Sequence, residues 1–302
     1  MKFKKILWHI ADSHHILSQL QYNLKVEDLH RNTLYSKELG INPKLYCKNA
    51  IIVSLTTYGK RIYTVHQTIE SLMQQTMKAN KIILWLDFSF KGQILPATLQ
   101  LQQKRGLEIK FCEDIRSYKK LIPTLDAYPE DAIITVDDDL IYPFDMLEKL
   151  IIPYLQDPNY IYCNRIHEIK INQDGLLCPY KDWNWTINKM DANMMYFPTG
   201  GAGTLYPPHS LNKEVFNKEV YMNICKYGDD IWFKAMAMLN GTLPKKVYTH
   251  NPKGEEYIII NEGQDLALYL INNGQSQNDV QIKAVFERYN LIQILKRYVD
   301  KT

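Results

Sequence analysis

The chain has 302 residues, 46% hydrophobic and 23% charged, a balance that excludes collagen-like and low-complexity classes and allows a core without disulfide or metal staples. Thirty-six Lys and Arg against 33 Asp and Glu leave a net charge of +3, too small a surplus for a dedicated nucleic-acid binder. The aromatic count stands out, with 21 Tyr, 9 Phe and 5 Trp, whose flat faces suit sugars and bases as well as cores.

The first residues, Met1 to Trp8, begin like a signal peptide, but His9, Asp12, Ser13, His14 and His15 interrupt the apolar run. No apolar run elsewhere approaches the ~18 residues of a membrane helix. The cysteines (Cys47, Cys112, Cys163, Cys178 and Cys225) are odd in number and form no CxxC pair, which argues against a disulfide framework or thiolate zinc site. A reducing, cytoplasmic compartment is expected.

Residues 1–48 read as helices and loops. Residues 50–55 are a continuous apolar run, as in a strand buried on both faces. Residues 64–77 predict a helix with Val65, Ile69, Leu72 and Met73 on one face. A second strand is expected over 81–86, ending at Asp87, then a short helix over 96–105 and a third strand over 108–112. A helix over about 120–127 leads to a fourth strand, 132–136, which runs into Asp137, Asp138 and Asp139. Strand and helix alternating at this spacing imply βαβ units and a parallel sheet. Ligands sit beyond the carboxyl ends of such strands, which directs attention to Thr56, Thr57, Asp87, Asp114 and the acidic triplet. After residue 150 the pattern mixes a short strand at 160–163, aromatic loops with Trp183, Trp185, Tyr196 and Phe197, and a helix over about 230–239. Residues 279–299 place Ile282, Val285, Phe286, Tyr289 and Ile292 on one helical face, with Asn278 as the expected cap.

The acidic triplet carries the strongest chemical signal. Three adjacent carboxylates repel one another inside a fold, and a divalent cation removes that cost. Oxygen ligands favour Mg²⁺ or Mn²⁺ over zinc. The plain alternative is a solvated acidic turn. Asp229 and Asp230, after Gly228, open an apolar helix, where they either cap free N–H groups or hold a general base rigidly at a site edge. Gly200, Gly201 and Gly203 permit close approach of backbone to ligand or only a tight turn; the segment lacks a Walker ending and a complete GxGxxG pattern. His250, after a short strand-like run at 247–249, is either structural or a ligand. Lys119, Lys120 and Arg61 are either a solvated face or cations placed for a diphosphate.

The order of these segments resembles the nucleotide-sugar-dependent glycosyltransferases of the GT-A fold, most closely bacterial family-2-like enzymes of surface-polysaccharide and lipopolysaccharide assembly. The resemblance covers roughly residues 48–252. It rests on residues 52–58 with Arg61, on 118–121, on Asp137–Asp139, on 200–203 and on 228–230, where Asp229 replaces the commoner Glu. The resemblance implies an α/β fold: a Rossmann-like, mainly parallel central sheet flanked by helices, with a smaller irregular acceptor half. It divides the chain into an N-terminal helical extension (1–47), a catalytic domain (48–252, nucleotide half 48–145 and acceptor half 146–252) and a C-terminal helical extension (253–302).

The same resemblance implies roles. Ser54, Thr56, Thr57 and Arg61 would hold the nucleotide, Asp87 would meet the base, and Lys119 or Lys120 the uracil or diphosphate. Asp137 or Asp138 would bind ribose. Asp139, with Asp137 and a late ligand at His250, would hold Mn²⁺ or Mg²⁺. Asp230, or Asp229, would act as base in an inverting transfer from a nucleotide-sugar, UDP-sugars favoured, to a saccharide or lipid-linked acceptor. Gly200, Gly201, Gly203, Trp183 and Trp185 would line the acceptor side.

Two other classes compete. A Mg²⁺-dependent nucleotidyltransferase acting on sugar phosphates also joins carboxylates to an α/β sheet, but it normally adds a Gly-rich loop after the first strand, where this chain has the single Gly59. A non-catalytic carbohydrate-binding module would account for the aromatics and would need no acidic triplet. Charge is unevenly spread: residues 1–50 carry 8 Lys and Arg against 4 Asp and Glu, residues 279–302 carry 5 against 3, and the body between carries 23 against 26. The basic ends suggest peripheral contact with an anionic membrane face.

Overall fold

The computed structural model of the chain describes residues 2–262 and 277–300, with side chains from Ile16 onward. In chain order the strands are β1 (Ile51–Thr56), β2 (Lys81–Asp87), β3 (Leu107–Cys112), β4 (Ala132–Thr135), β5 (Leu140–Ile141), β6 (Ile161–Cys163), β7 (Ile166–Glu168), β8 (Tyr196–Pro198), β9 (Thr204–Tyr206), β10 (Pro244–Lys246) and β11 (Ile258–Ile259). The helices are α1 (Lys2–Tyr35), α2 (Val65–Met73), α3 (Ala97–Gln103), α4 (Ile122–Ala127), α5 (Met146–Gln156), α6 (Lys218–Ile224), α7 (Asp229–Asn240), α8 (Gln277–Arg288) and α9 (Leu291–Val299).

Seven strands form one sheet in the order β10-β6-β9-β4-β1-β2-β3. β9 alone runs against its neighbours in it. The fold is therefore α/β with a mainly parallel central sheet flanked by helices. The short pairs β5–β11 and β7–β8 stand outside that sheet.

Burial on both faces explains the apolar runs. Ile51, Val53 and Leu55 of β1 join the core shared with α2 and α5, while Ile52 packs with Ile83 and Trp85 on the other face. Ser54 also lies on that second face, where its hydroxyl and the Trp85 indole both bond Thr124 at 2.7 Å. A second core gathers α7, α8 and α9 around Trp232, Phe233, Val285 and Leu295.

Residues 1–48 do not alternate helices and loops: one 34-residue helix, α1, precedes the loop to β1. Its C-terminal part lies on α2 and α3, where Thr33 meets Glu70 and Gln102, and Leu29 packs on Ile141 and Ile260. This cover buries every residue of α2, including Glu70, whose carboxylate meets Arg105 at 2.8 and 3.0 Å and accepts from Thr33 and Gln102 at 3.2 Å. α2 ends at Met73 rather than at 77, because the chain turns there toward the edge of α5, with Thr76 N donating to Phe144 O at 2.8 Å. The helix expected over 279–299 is two helices, broken at Asn290, whose φ of +51° leaves the helical region. Asn278 is the second residue of α8, not its cap. The strand near 247–249 falls instead at β10. Beyond residue 252 the chain supplies β11, which pairs with β5, before the terminal helices. Among the described residues no helix is long and apolar enough to cross a membrane.

Candidate active site

Topology decides what gathers at the carboxyl ends of β1 and β4. Because β9 is antiparallel to β4, with Thr135 opposite Thr204, the residues before β9 lie beside those after β4. The turn Gly200–Ala202 thus meets Asp137–Asp139. A Cβ at Gly201 would stand 2.8 Å from Asp137 Oδ2, and one at Gly200 would stand 2.6 Å from Asp230 Oδ1. A side chain at either position would push away the carboxylate that it meets. The Gly200 amide donates to Asp230 Oδ2 at 3.0 Å, so α7 brings its first turn to the same place.

The acidic triplet divides its partners. Asp138 turns inward, where Arg61 Nη1 donates to Oδ1 at 2.8 Å and the Thr57 hydroxyl to Oδ2 at 2.5 Å. Burial, reinforced by repulsion from Asp139, pushes the Asp138 carboxyl up to about 6 against the pull of Arg61. Asp139 pairs with Arg61 Nη2 at 3.0 Å. Asp137 pairs with Lys120 at 2.9 Å, and its amide donates to the Tyr142 hydroxyl at 2.9 Å. Burial works against ionisation of Asp137, yet the Lys120 ammonium holds it below the usual carboxylate range. Tyr142 donates to Gly201 O at 2.7 Å, tying the glycine turn to the triplet.

Lys120 is the centre of the cluster. It also pairs with Asp229 Oδ2 at 2.9 Å, and Ser117 donates to Asp229 Oδ1 at 2.9 Å. Burial, with Asp229 and Asp137 close by, pushes the Asp230 carboxyl up to about 7 despite the opposing charge of Lys120. Lys119, its neighbour in the 3-10 turn Arg116–Lys120, points elsewhere. It joins Asp114 at 2.9 Å and Asp87 at 3.5 Å at the ends of β3 and β2. Asp87 also accepts from Ser89 N at 2.9 Å.

Not every expected residue arrives here. Ser54 is fully buried beneath the surface and engaged by Thr124, so its hydroxyl faces the core rather than the strand-end loop. Thr56 donates to Trp85 O at 2.8 Å, across to β2. His250 is 70% exposed, and the loop after β10 carries its ring to Asp145, 3.3 Å away, rather than into the triplet. Trp183 is buried among Tyr180 and Phe197, with its indole donating to Cys178 O at 3.0 Å, so it is core. Trp185 is 45% exposed and stacks on His167 at 4.7 Å. Gly203 adopts φ +96°, and a Cβ there would stand 2.9 Å from Met146 Sδ and 3.2 Å from Asn164 Nδ2, so it serves the turn rather than lining the site.

Other residues join the site with no local sequence signal. Tyr142 and Ser117 are two. Arg165 is a third: its Nε donates to the Thr199 hydroxyl at 2.7 Å, its Nη1 donates to the Tyr257 hydroxyl, and its charge also favours ionised Asp137. Arg165 follows β6, a strand of three residues.

The ion pairs of Asp137, Asp138, Asp139 and Asp229 thus come from Arg61 and Lys120. Asp137 and Asp139 remain partly accessible, at 38% and 18%. Among the described residues no group of three or more His, Cys, Asp or Glu side chains is arranged to hold a metal ion. One or two accessible carboxylates with oxygen-only donors fit Mg²⁺ or Mn²⁺ taking the rest of its shell from phosphates and water; they do not fit zinc or a closed calcium cage.

No family model matches the chain, and no curated protein does. Among matching solved structures is CMP:2-keto-3-deoxy-manno-octonic acid synthetase complexed with CTP, 12% identical, with a TM-score of 0.39 over 66% of this chain and 89% of that one. A likeness this low bears on no chemistry.

Proposed function

We propose that the chain is a metal-dependent glycosyltransferase that moves a sugar from a nucleotide-sugar, UDP-sugars favoured, to a saccharide or lipid-linked acceptor with inversion. One observation carries the reading: Asp137 and Asp229, far apart in sequence, meet on Lys120, with Asp230 beside them on the Gly200 amide, at the carboxyl edge of the parallel sheet. A solvated acidic turn needs no such convergence.

In this reading Asp87, Asp114 and Lys119 form the polar group for the base, and Thr57 and Arg61 shape the loop beneath the nucleotide. Asp139 with Asp137 would hold Mn²⁺ or Mg²⁺, and Asp137 or Asp138 would meet the ribose. The ion, when bound, supplies neutralising charge to the departing nucleoside diphosphate. Asp230 takes the proton of the acceptor hydroxyl. Burial raises the Asp230 carboxyl above the ordinary carboxylate range, which makes it a stronger proton acceptor, as a general base needs. The Gly200 amide fixes the Oδ2 edge of Asp230. Lys120 balances Asp137 and Asp229, so the base is surrounded by compensated charge.

The test is a thermal-shift and transfer assay with Mn²⁺ and a panel of nucleotide-sugars. Mn²⁺ and a UDP-sugar together are expected to raise the Tm, and Asp230→Asn to keep that shift while losing transfer. Absence of any shift with nucleotides and metal overturns the reading. So does release of pyrophosphate from a nucleoside triphosphate and a sugar phosphate, which marks a nucleotidyltransferase. Near-native transfer by Asp230→Asn removes the base assignment alone.

A further inference from the structure

We propose that α1 pairs with α1 of a second copy of this chain as a two-stranded coiled coil. Phe3, Ile6, Ile10, Ser13, Leu17, Leu20 and Leu24 follow one another at alternating steps of three and four, a seven-residue repeat with one polar member. All lie within the single helix Lys2–Tyr35. A strict seven-residue period sustained for about three heptads is the pattern of a helix seam facing another helix. In the structure Leu17, Leu20 and Leu24 are 58%, 52% and 62% exposed, and the adjacent Ile16 is 58% exposed. Monomeric soluble proteins rarely show contiguous apolar patches beyond a few hundred Å².

The body of the protein lies on the opposite side of the helix. Tyr22 bonds Glu262 at 2.9 Å, Leu29 packs with Ile141 and Ile260, and Thr33 reaches Glu70 at 3.2 Å. Tyr22 is two residues from both Leu20 and Leu24, so at about 100° per residue it faces away from the seam. Two copies joined by their seams therefore carry their bodies outward, and neither blocks the other.

The flanking positions favour a second copy over the other occupants. They are Leu7, His14, Gln21 and Asp28 on one side and Lys2, His9, Ile16 and Asn23 on the other. Only Lys2 and Asp28 are charged, at opposite ends of the repeat and of opposite sign, so identical chains meet without a like-charge pair across the seam. Residues 263–276, outside the described structure, follow Glu262, which meets α1 on the body side.

Light scattering on the full chain at micromolar concentration is expected to show a dimer. The double variant Leu17→Glu/Leu20→Glu is expected to be monomeric with an unchanged Tm. Under mild oxidation Leu20→Cys should give a covalent dimer, and Ser18→Cys, on the outer face, should not. A wild-type monomer overturns the proposal, as does a double variant that stays dimeric. A wild-type monomer that sediments with anionic vesicles through these leucines assigns the stripe to a membrane instead. A double variant whose Tm collapses shows that the chain's own residues cover the stripe, and Leu20→Cys that fails to cross-link refutes the seam directly.

Discussion

Lys120→Met keeps a stem of similar length and deletes the ammonium. That ammonium lies 2.9 Å from Asp137 Oδ1 and 2.9 Å from Asp229 Oδ2, and its charge also reaches Asp230. Removing one partner of a buried ionic network costs about 3–5 kcal/mol, since the remaining charges lose their compensation. Asp137 is 38% exposed, so water screens part of its loss and the lower end, about 3 kcal/mol at neutral pH, is expected. Urea denaturation followed by circular dichroism measures it directly. The sign with pH follows from the carboxylates. In the native chain Asp137 is held below its ordinary value, so its stabilising contribution exists above that value and disappears on acidification. Without Lys120, burial and mutual repulsion dominate and raise the folded carboxyls above their unfolded values. The folded variant then binds more protons than the unfolded one, and its stability grows as pH falls from about 7 to about 5. The wild type also gains over this range through Asp138 and Asp230, but the variant gains more because Asp137 joins them, so the gap narrows on acidification. A cost under about 1 kcal/mol, or a gap that does not change over that range, would refute the claim that Lys120 balances the site.

Lys234 is fully buried one helical turn after Asp230 and donates to Met194 O at 2.6 Å; burial lowers it from 10.5 to about 7. Between pH 7 and pH 9 the folded chain releases this proton while the unfolded chain keeps it. Wild-type stability should therefore rise relative to Lys234→Met by about 2 kcal/mol, and a constant difference in urea midpoints means the lysine is charged in the fold. Gly200→Ala puts a methyl 2.6 Å from Asp230 Oδ1. Under the proposed function it should lower transfer on the order of 100-fold while leaving the circular-dichroism spectrum unchanged, and transfer within twofold of wild type would show that the Asp230 position is not critical. Trp183→Ala should cost about 3–5 kcal/mol in urea, as a buried aromatic. Trp185→Ala should cost about 1 kcal/mol or less, and should raise the acceptor KM if that ring lines the acceptor side.

The N-terminal half of the sheet was legible because strands buried on both faces must be continuously apolar, and β1, β2 and β4 each write such a run. The run of β4 ends at its last buried side chains, so the three carboxylates after it stand out by contrast. The other half hides its architecture. β6, β9 and β10 have three residues each, too few for any period to show. Their places depend on long-range pairing, and the decisive one is Thr135 opposite Thr204, which lays the glycine turn beside the triplet. Ser54 shows the converse limit: a polar residue within an apolar strand reads as a ligand contact, but alternation along β1 turns it toward Thr124. The two lysines show why adjacency misleads. At about 120° per residue in a 3-10 turn, neighbouring side chains diverge, so Lys119 reaches Asp114 and Lys120 reaches Asp137. The repeat in α1 is not legible locally, because its period of 3.5 residues differs so little from 3.6 that only the helix's full length and the exposure of its leucines separate a seam from a core face. What the local pattern encodes is therefore which residues are charged, small or apolar. Which of them meet is set by strand register and helix phase, and the candidate site exists only where both bring Asp137, Gly200 and Asp230 around one lysine.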